Sequence, residues 1–229
     1  LVPPDVLART GMVFLNYPHN PSGQRLPAEV FEAWIQARDQ HGFVLVGDEC
    51  YVDLYYDDEP PRTLLEFGRT GCLIVHSLSK RSGMTGYRSG FVAGDAELVA
   101  TYRRFRAGMG VAPTEPVQRA AVVAWTDDGH VAERRSIFAQ KRAVLADCFS
   151  DRGLKVWPAP TGLFLWAEVP SSHAKDGIEY AERMLEEHGV LLSPGSFFGP
   201  GQERFIRLAL VPSVEECREV AALWPRGEG

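Results

Sequence analysis

The chain has 229 residues, with 24 Lys and Arg against 30 Asp and Glu, so its formal charge is −6. A composition of 45% hydrophobic and 24% charged residues excludes disorder, and a chain of this length buries about 70% of the surface its unfolded form exposes. The acidic balance and the absence of any Lys/Arg run exclude nucleic acid or an anionic membrane as the main partner, since both are held by dense positive charge; a small substrate is expected instead. The length suits one large domain or one and a half.

The opening Leu1-Val2-Pro3-Pro4-Asp5 has no initiating Met and neither the basic segment nor the apolar core of a secretory signal, and it is expected to lie inside a longer protein. Met12 to Leu15 reads as a short buried strand, and the Asn-, Pro- and Gly-rich stretch Asn16 to Gly23 as a loop. A helix follows, with Pro27 suited to its first position, Val30, Phe31, Trp34 and Ile35 on one face, and His41-Gly42 as its stop. Phe43 to Val46 is apolar on both faces, as a parallel strand is, and runs into Gly47-Asp48-Glu49. Cys72 to Val75 is a third buried run, opening into His76-Ser77-Leu78-Ser79-Lys80, and Gly90 to Ala93 is a fourth strand.

Helical spacing then covers Ala96 to Arg106 and Glu115 to Trp125. A longer helix, from about His130 to Phe149, is expected to leave one domain and enter the next. Beyond Gly153 the pattern changes to separated strands (Leu163 to Glu168, Val190 to Leu192, Phe205 to Leu210) with helices at Ile178–His188 and Val214–Leu223. The expected fold class is therefore α/β, a mainly parallel sheet over residues 1–140, followed by a small α+β C-terminal domain over 141–229.

In open parallel sheets, ligands bind beyond the carboxyl ends of the strands. Three such ends are polar here: Asn16-Tyr17-Pro18-His19-Asn20-Pro21-Ser22-Gly23, Asp48-Glu49-Cys50-Tyr51 and Ser77-Leu78-Ser79-Lys80, with Arg88 following in Gly86-Tyr87-Arg88-Ser89-Gly90. A lysine amine can join an aldehyde, a carboxylate can keep a pyridine nitrogen protonated, and hydroxyls with a guanidinium suit a phosphate dianion. Taken singly, Asn-Pro-x-Gly is a turn, a strand-end Asp is a helix cap, and Ser-x-Ser-Lys is a surface loop; it is their co-occurrence that points to chemistry. Arg207 stands mid-strand with Phe205 and Ala209 on its own face, so it calls for a carboxylate partner, from a substrate or an internal ion pair, unless it reaches solvent from an edge strand.

As an ordered set these stretches, together with Phe205-Ile206-Arg207-Leu208, resemble the fold-type I pyridoxal-phosphate enzymes, specifically the class I/II aminotransferases related to aspartate aminotransferase. The resemblance implies pyridoxal 5′-phosphate as cofactor, with Lys80 as its Schiff-base lysine and proton shuttle and Asp48 on the pyridine nitrogen. It further implies Asn20 and Tyr51 on the ring oxygen, Ser77, Ser79 and Arg88 on the phosphate, and Arg207, with Asn20, on the substrate carboxylate. Partners would be amino and keto acids, the setting cytoplasmic, and the parent a homodimer.

Ser79 to Asp95 resembles N-succinyldiaminopimelate aminotransferases of lysine biosynthesis, with glutamate as donor; aspartate, alanine, aromatic amino acids and unsuccinylated diaminopimelate stay open. Rivals are a carbon–sulfur β-lyase within the fold, and a non-catalytic remnant or dimerisation module. The family's upstream segment has no match here, so this piece alone is expected to bind cofactor weakly. The four cysteines (Cys50, Cys72, Cys148, Cys217) lack metal-ligand spacing and are expected to be thiols. The six histidines show no spacing for a metal or a nucleophilic triad; they are read as surface or loop-packing residues, with His76 near the cofactor.

Overall fold

The computed structural model describes residues 2–225. The chain divides into two compact units: residues up to His19 plus Arg25–Ala132, and Asn20–Gln24 plus Glu133 onward.

The first unit is built on a four-stranded sheet of β1 (Met12–Asn16), β2 (Val44–Asp48), β3 (Cys72–Ser77) and β4 (Gly90–Gly94), in that order. A short helix α1 (Pro4–Ala8) leads into β1. β1, β2 and β3 are parallel, with Asn16 opposite Asp48 and Asp48 opposite Val75. Their polar carboxyl ends therefore finish side by side at one edge of the sheet. β4 runs antiparallel to β3, a departure from the parallel rhythm. The link contains only the one-turn helix α3 (Leu78–Arg81) and a 3-10 turn at Thr85–Tyr87, which reverse the chain without the long crossover helix a parallel partner needs.

α2 (Ala28–His41) covers the sheet, with Pro27 as its N-cap rather than its first helical residue and Gly42, at φ 77, as its left-handed stop. Phe31 stacks on Phe67 at 4.8 Å, Trp34 meets Phe43 edge-on at 6.2 Å, and Leu15, Leu45, Leu64, Cys72 and Ile74 complete the core. α4 (Ala96–Gly108) is capped by Asp95, whose side chain accepts from the Glu97 and Leu98 amides and from Gly71 N. α5 (Glu115–Thr126) follows, and then α6 (Gly129–Asp151), which starts in the first unit and continues into the second.

The second unit carries an antiparallel sheet of β5 (Lys155–Val156), β6 (Phe164–Glu168), β8 (Phe205–Ala209) and β7 (Ser193–Pro194), in that spatial order. The strand expected at Val190–Leu192 is not formed. Val190 N instead closes the end of α7 (Gly177–His188) on Met184 O after left-handed Gly189, so pairing begins only at Ser193. Leu165 and Ile206 are fully buried, Tyr180 and Met184 face inward from α7, and Trp224 donates its indole N–H to Tyr180 OH at 2.9 Å. α8 (Val214–Leu223) opens with a capping box between Ser213 and Glu216. Asn20–Gln24 belongs to this unit because Thr161 Oγ1 donates to Gly23 O at 2.8 Å, and Gly23, at φ 66, lies where a Cβ would be 2.5 Å from Thr161 O.

Candidate active site

At the first unit's strand ends, Asp48 is held from two sides. Asn16 Nδ2 donates to its Oδ2 at 3.1 Å and Cys50 N to its Oδ1 at 3.3 Å. Burial first, then hydrogen bonding and charge from Asp48, push the Cys50 thiol up to about 12, while the Lys80 charge pulls the other way. Both Asp48 and Lys80 are thus close enough to act on one sulfur. Lys80 Nζ lies 5.9 Å from the ring centroid of the buried Tyr51.

Ser77 is the N-cap of α3. Its Oγ accepts from Ser79 N at 3.1 Å and donates to Ser89 O at 3.3 Å, which ties the start of the lysine-bearing turn to the start of β4. Arg88 is exposed, with its Nη1 donating to Thr85 O at 2.9 Å. It is the one non-glycine residue with positive φ among the described residues, at 52°, a conformation that costs of order 1 kcal/mol and clusters at functional sites. Asp48, Tyr51, Ser77, Ser79, Lys80 and Arg88 accordingly fall within the first unit.

Beneath this rim lies a cluster the sequence did not point to. His76, which the sequence set apart from the other histidines, is buried. Its Nδ1 accepts the Ser77 amide at 2.8 Å, which makes Nε2 the donor to Asp53 Oδ2 at 2.9 Å. Arg81 Nη1 lies 3.2 Å from the same Asp53 oxygen, and its Nη2 lies 2.6 Å from Asp128 Oδ1. Burial pushes Asp53 up, but the hydrogen bond from His76 and the Arg81 guanidinium outweigh it and hold its carboxyl below the usual range. Glu49 behaves oppositely: burial pushes it up, against hydrogen bonds from Leu64 N at 2.8 Å and Thr63 Oγ1 at 2.9 Å.

His130 forms an array that sequence spacing does not show. His130 Nδ1 faces Asp127 Oδ2 at 3.0 Å and its Nε2 faces Ser82 Oγ at 2.9 Å, from residues too far apart in sequence for spacing to reveal. Asp127 also caps α6 through Gly129 N, which gives this array a structural role. No group of three or more His, Cys, Asp or Glu suited to a metal occurs among the described residues. The four cysteines are free thiols, and among the described residues no helix is long and apolar enough to cross a membrane.

In the second unit, Arg207 is half-buried in β8, close to two rings. Its guanidinium carbon lies 4.4 Å from the Phe164 centroid and 4.8 Å from that of Phe198. Nη1 donates to Asn20 Oδ1 at 3.0 Å and Nη2 to Ser193 Oγ at 3.2 Å. Asn20 is thus placed with Arg207, in the second unit. A guanidinium packed against rings and tied at both terminal nitrogens keeps its planar donor fork in one orientation, and such a fork suits a carboxylate. The sequence singled out Arg207 but neither ring: Phe198 sits in the loop Gly195 to Gly201, and only the register that sets Ser193 and Trp166 opposite Arg207 assembles the slot. Gly195 lets that loop close on β8, since a Cβ there would lie 2.7 Å from Phe205 O.

Residues 3–222 match the family model described as aminotransferase class I and II. The chain is 38% identical to a 4-dedimethylamino-4-oxo-anhydrotetracycline transaminase of Streptomyces rimosus, covering 92% of this chain and 58% of the relative. It is 32% identical to an LL-diaminopimelate aminotransferase of Nitratidesulfovibrio vulgaris, covering 91% of this chain and 54% of that protein. Among solved structures, a probable N-succinyldiaminopimelate aminotransferase from Thermus thermophilus superposes with a TM-score of 0.86 at 31% identity, covering 97% of this chain and 60% of that one. The chain thus spans between about half and three-fifths of the length of the proteins it matches.

Proposed function

Because the chain belongs to the class I and II aminotransferases, a pyridoxal-phosphate-dependent family, we propose that the protein it represents moves an amino group between an amino acid and a keto acid. The observation that supports this most is the set of groups at the first unit's strand ends. An amine (Lys80), a carboxylate (Asp48), a phenol (Tyr51), two hydroxyls (Ser77, Ser79) and a guanidinium (Arg88) lie on consecutive strand ends and turns, with Asp48 and Lys80 both acting on Cys50. In kind they fit a phosphorylated pyridine aldehyde, and no group in the set is left without a task.

When bound, the cofactor supplies an electron sink that stabilises negative charge at the substrate Cα. Lys80 would hold its aldehyde carbon and, once released, carry the proton from Cα. Asp48, oriented by Asn16 and Cys50 N, would keep a positive charge on the ring nitrogen. Tyr51 would orient the ring oxygen and pack against the lysine stem. Ser77, Ser79 and Arg88 would bind the phosphate. Arg207, packed beside Phe164 and Phe198, would hold the α-carboxylate, with Asn20 fixing one arm.

As substrate, we infer a diaminopimelate-type keto acid, N-succinylated or free, with glutamate as donor. The wording of Ser79 to Asp95 and the names of two of the similar proteins favour it. The 4-dedimethylamino-4-oxo-anhydrotetracycline transaminase, at the higher identity of 38%, is named for a very different substrate, so identity at this level does not choose between them. A cytoplasmic homodimer is the accompanying expectation. The test is transfer of ¹⁵N from glutamate to a panel of keto acids by the full-length parent, run beside pyruvate release from cystathionine. Keto-acid-dependent transfer supports the proposal, pyruvate release without a keto acid favours a carbon–sulfur β-lyase, and neither activity favours a non-catalytic module.

A further inference from the structure

Resting on the role given above to Lys80, we propose that Arg81, locked between Asp53 and Asp128, is the positioning residue that fixes the direction of the Lys80 side chain. α3 has only four residues, Leu78–Arg81. A single turn has no stability of its own, because nucleating a helix costs more than its first hydrogen bond returns, so tertiary contacts must set where its side chains point. Successive residues on a helix differ by about 100° in direction. A guanidinium fixed on one side of α3 therefore fixes the direction in which the preceding residue's side chain leaves the turn, and so narrows the space its amine can reach.

Arg81 is anchored from several directions. Its side chain is 6% exposed, Nη1 meets Asp53 Oδ2 at 3.2 Å, Nη2 meets Asp128 Oδ1 at 2.6 Å, and its carbon lies 5.4 Å from the centroid of the Trp125 ring. Asp53 in turn reaches both ends of the turn. Through His76 it connects to the Ser77 amide at the start of α3, and through Arg81 to its end. The next residue is tied as well, since Ser82 Oγ meets His130 Nε2 and His130 Nδ1 meets Asp127. The turn Asp127–His130 thus holds the two residues that follow Lys80. A lysine in place of Arg81 could not do the same, because one ammonium lacks the planar fork that spans two carboxylates.

The test uses the cofactor-free protein and reads the lysine directly. Trace acetylation followed by mass spectrometry compares the Lys80 peptide with that of exposed Lys155, whose side chain is 74% accessible. Lys141, buried in the second unit, reports any global opening. We expect Arg81→Lys and Asp128→Asn to raise the Lys80-to-Lys155 ratio at least threefold with Lys141 still protected. Asp128→Glu, which keeps the carboxylate, should restore the ratio, and Arg25→Met, which breaks the separate ion pair to Asp57, should leave it unchanged.

If Arg81→Lys fails to fold, Asp128→Asn decides, because that carboxylate is 90% exposed and its loss leaves the core intact. An unchanged ratio in the folded variants overturns the proposal, and so does a ratio that Asp128→Glu does not restore. Failure of pyridoxal phosphate to label Lys80 would remove the cofactor role and leave this outcome readable on its own.

Discussion

The strand-end rim of the first unit and the Arg207 slot of the second hold charged groups by different means. In the rim, three groups are oriented by hydrogen bonds at strand ends and turns: Asp48 by the Asn16 side chain and Cys50 N, Ser77 by the amide of Ser79, Arg88 by the Thr85 carbonyl. In the slot, Arg207 is oriented by ring packing as well as by hydrogen bonds to Asn20 and Ser193, its guanidinium carbon close to the Phe164 and Phe198 rings on a strand that also carries the buried Ile206 and Leu208. A site placed on strand ends can change its chemistry without disturbing the sheet, whereas a site mid-strand shares its stability with the fold.

That difference breaks most visibly in the second unit. Leu165 is fully buried beside the strand that carries Arg207, and Leu165→Ala should cost about 2–5 kcal/mol in denaturant unfolding. A cost below about 1 kcal/mol would mean that this sheet is not the core holding the slot. Arg207→Ala should follow at about 1–3 kcal/mol, from the lost packing and the partners left at Asn20 and Ser193. Ser79→Ala in the rim should leave the melting temperature within error while weakening phosphate binding. If Ser79→Ala costs as much stability as Arg207→Ala, the comparison fails.

A finer prediction concerns pH within the first unit. The folded Asp53 carboxyl lies below its ordinary value, so its contribution to stability is present above the ordinary carboxylate range and is lost as pH falls through the depressed value. The folded Glu49 lies above its ordinary value, so its contribution is present below that value and is lost as pH rises through the raised one. Unfolding free energies followed from pH 3 to 7 should therefore lose acid sensitivity in Asp53→Asn and lose some alkaline-side decline in Glu49→Gln. The same sign of change in both variants would contradict these assignments.

The rim was legible in the sequence because polar clusters directly follow short apolar runs, so Asn16, Asp48 and Ser77 could be read as strand ends from linear order alone. The slot was half legible. A mid-strand arginine announces itself, but Phe164, Ser193 and Phe198 join it only through strand register and a glycine-bounded loop. The Val190–Leu192 run reads as a strand because it is a short apolar run between turn residues, yet the helix cap uses the Val190 amide first. Arg81 left almost no trace. Its partners Asp53 and Asp128 lie on separate loops, and nothing in composition or periodicity links them.

The central claim, that the strand-end rim is a pyridoxal-phosphate site with Lys80 as its amine, is tested most directly by covalent capture. Pyridoxal phosphate is added to a form of the protein that contains the remaining length of its relatives, the adduct is reduced with borohydride, and the labelled peptide is located by mass spectrometry. The account predicts a single phosphopyridoxyl label on Lys80, lost in Lys80→Ala and weakened in Asp48→Asn. A label on another lysine, or none at all, would contradict it.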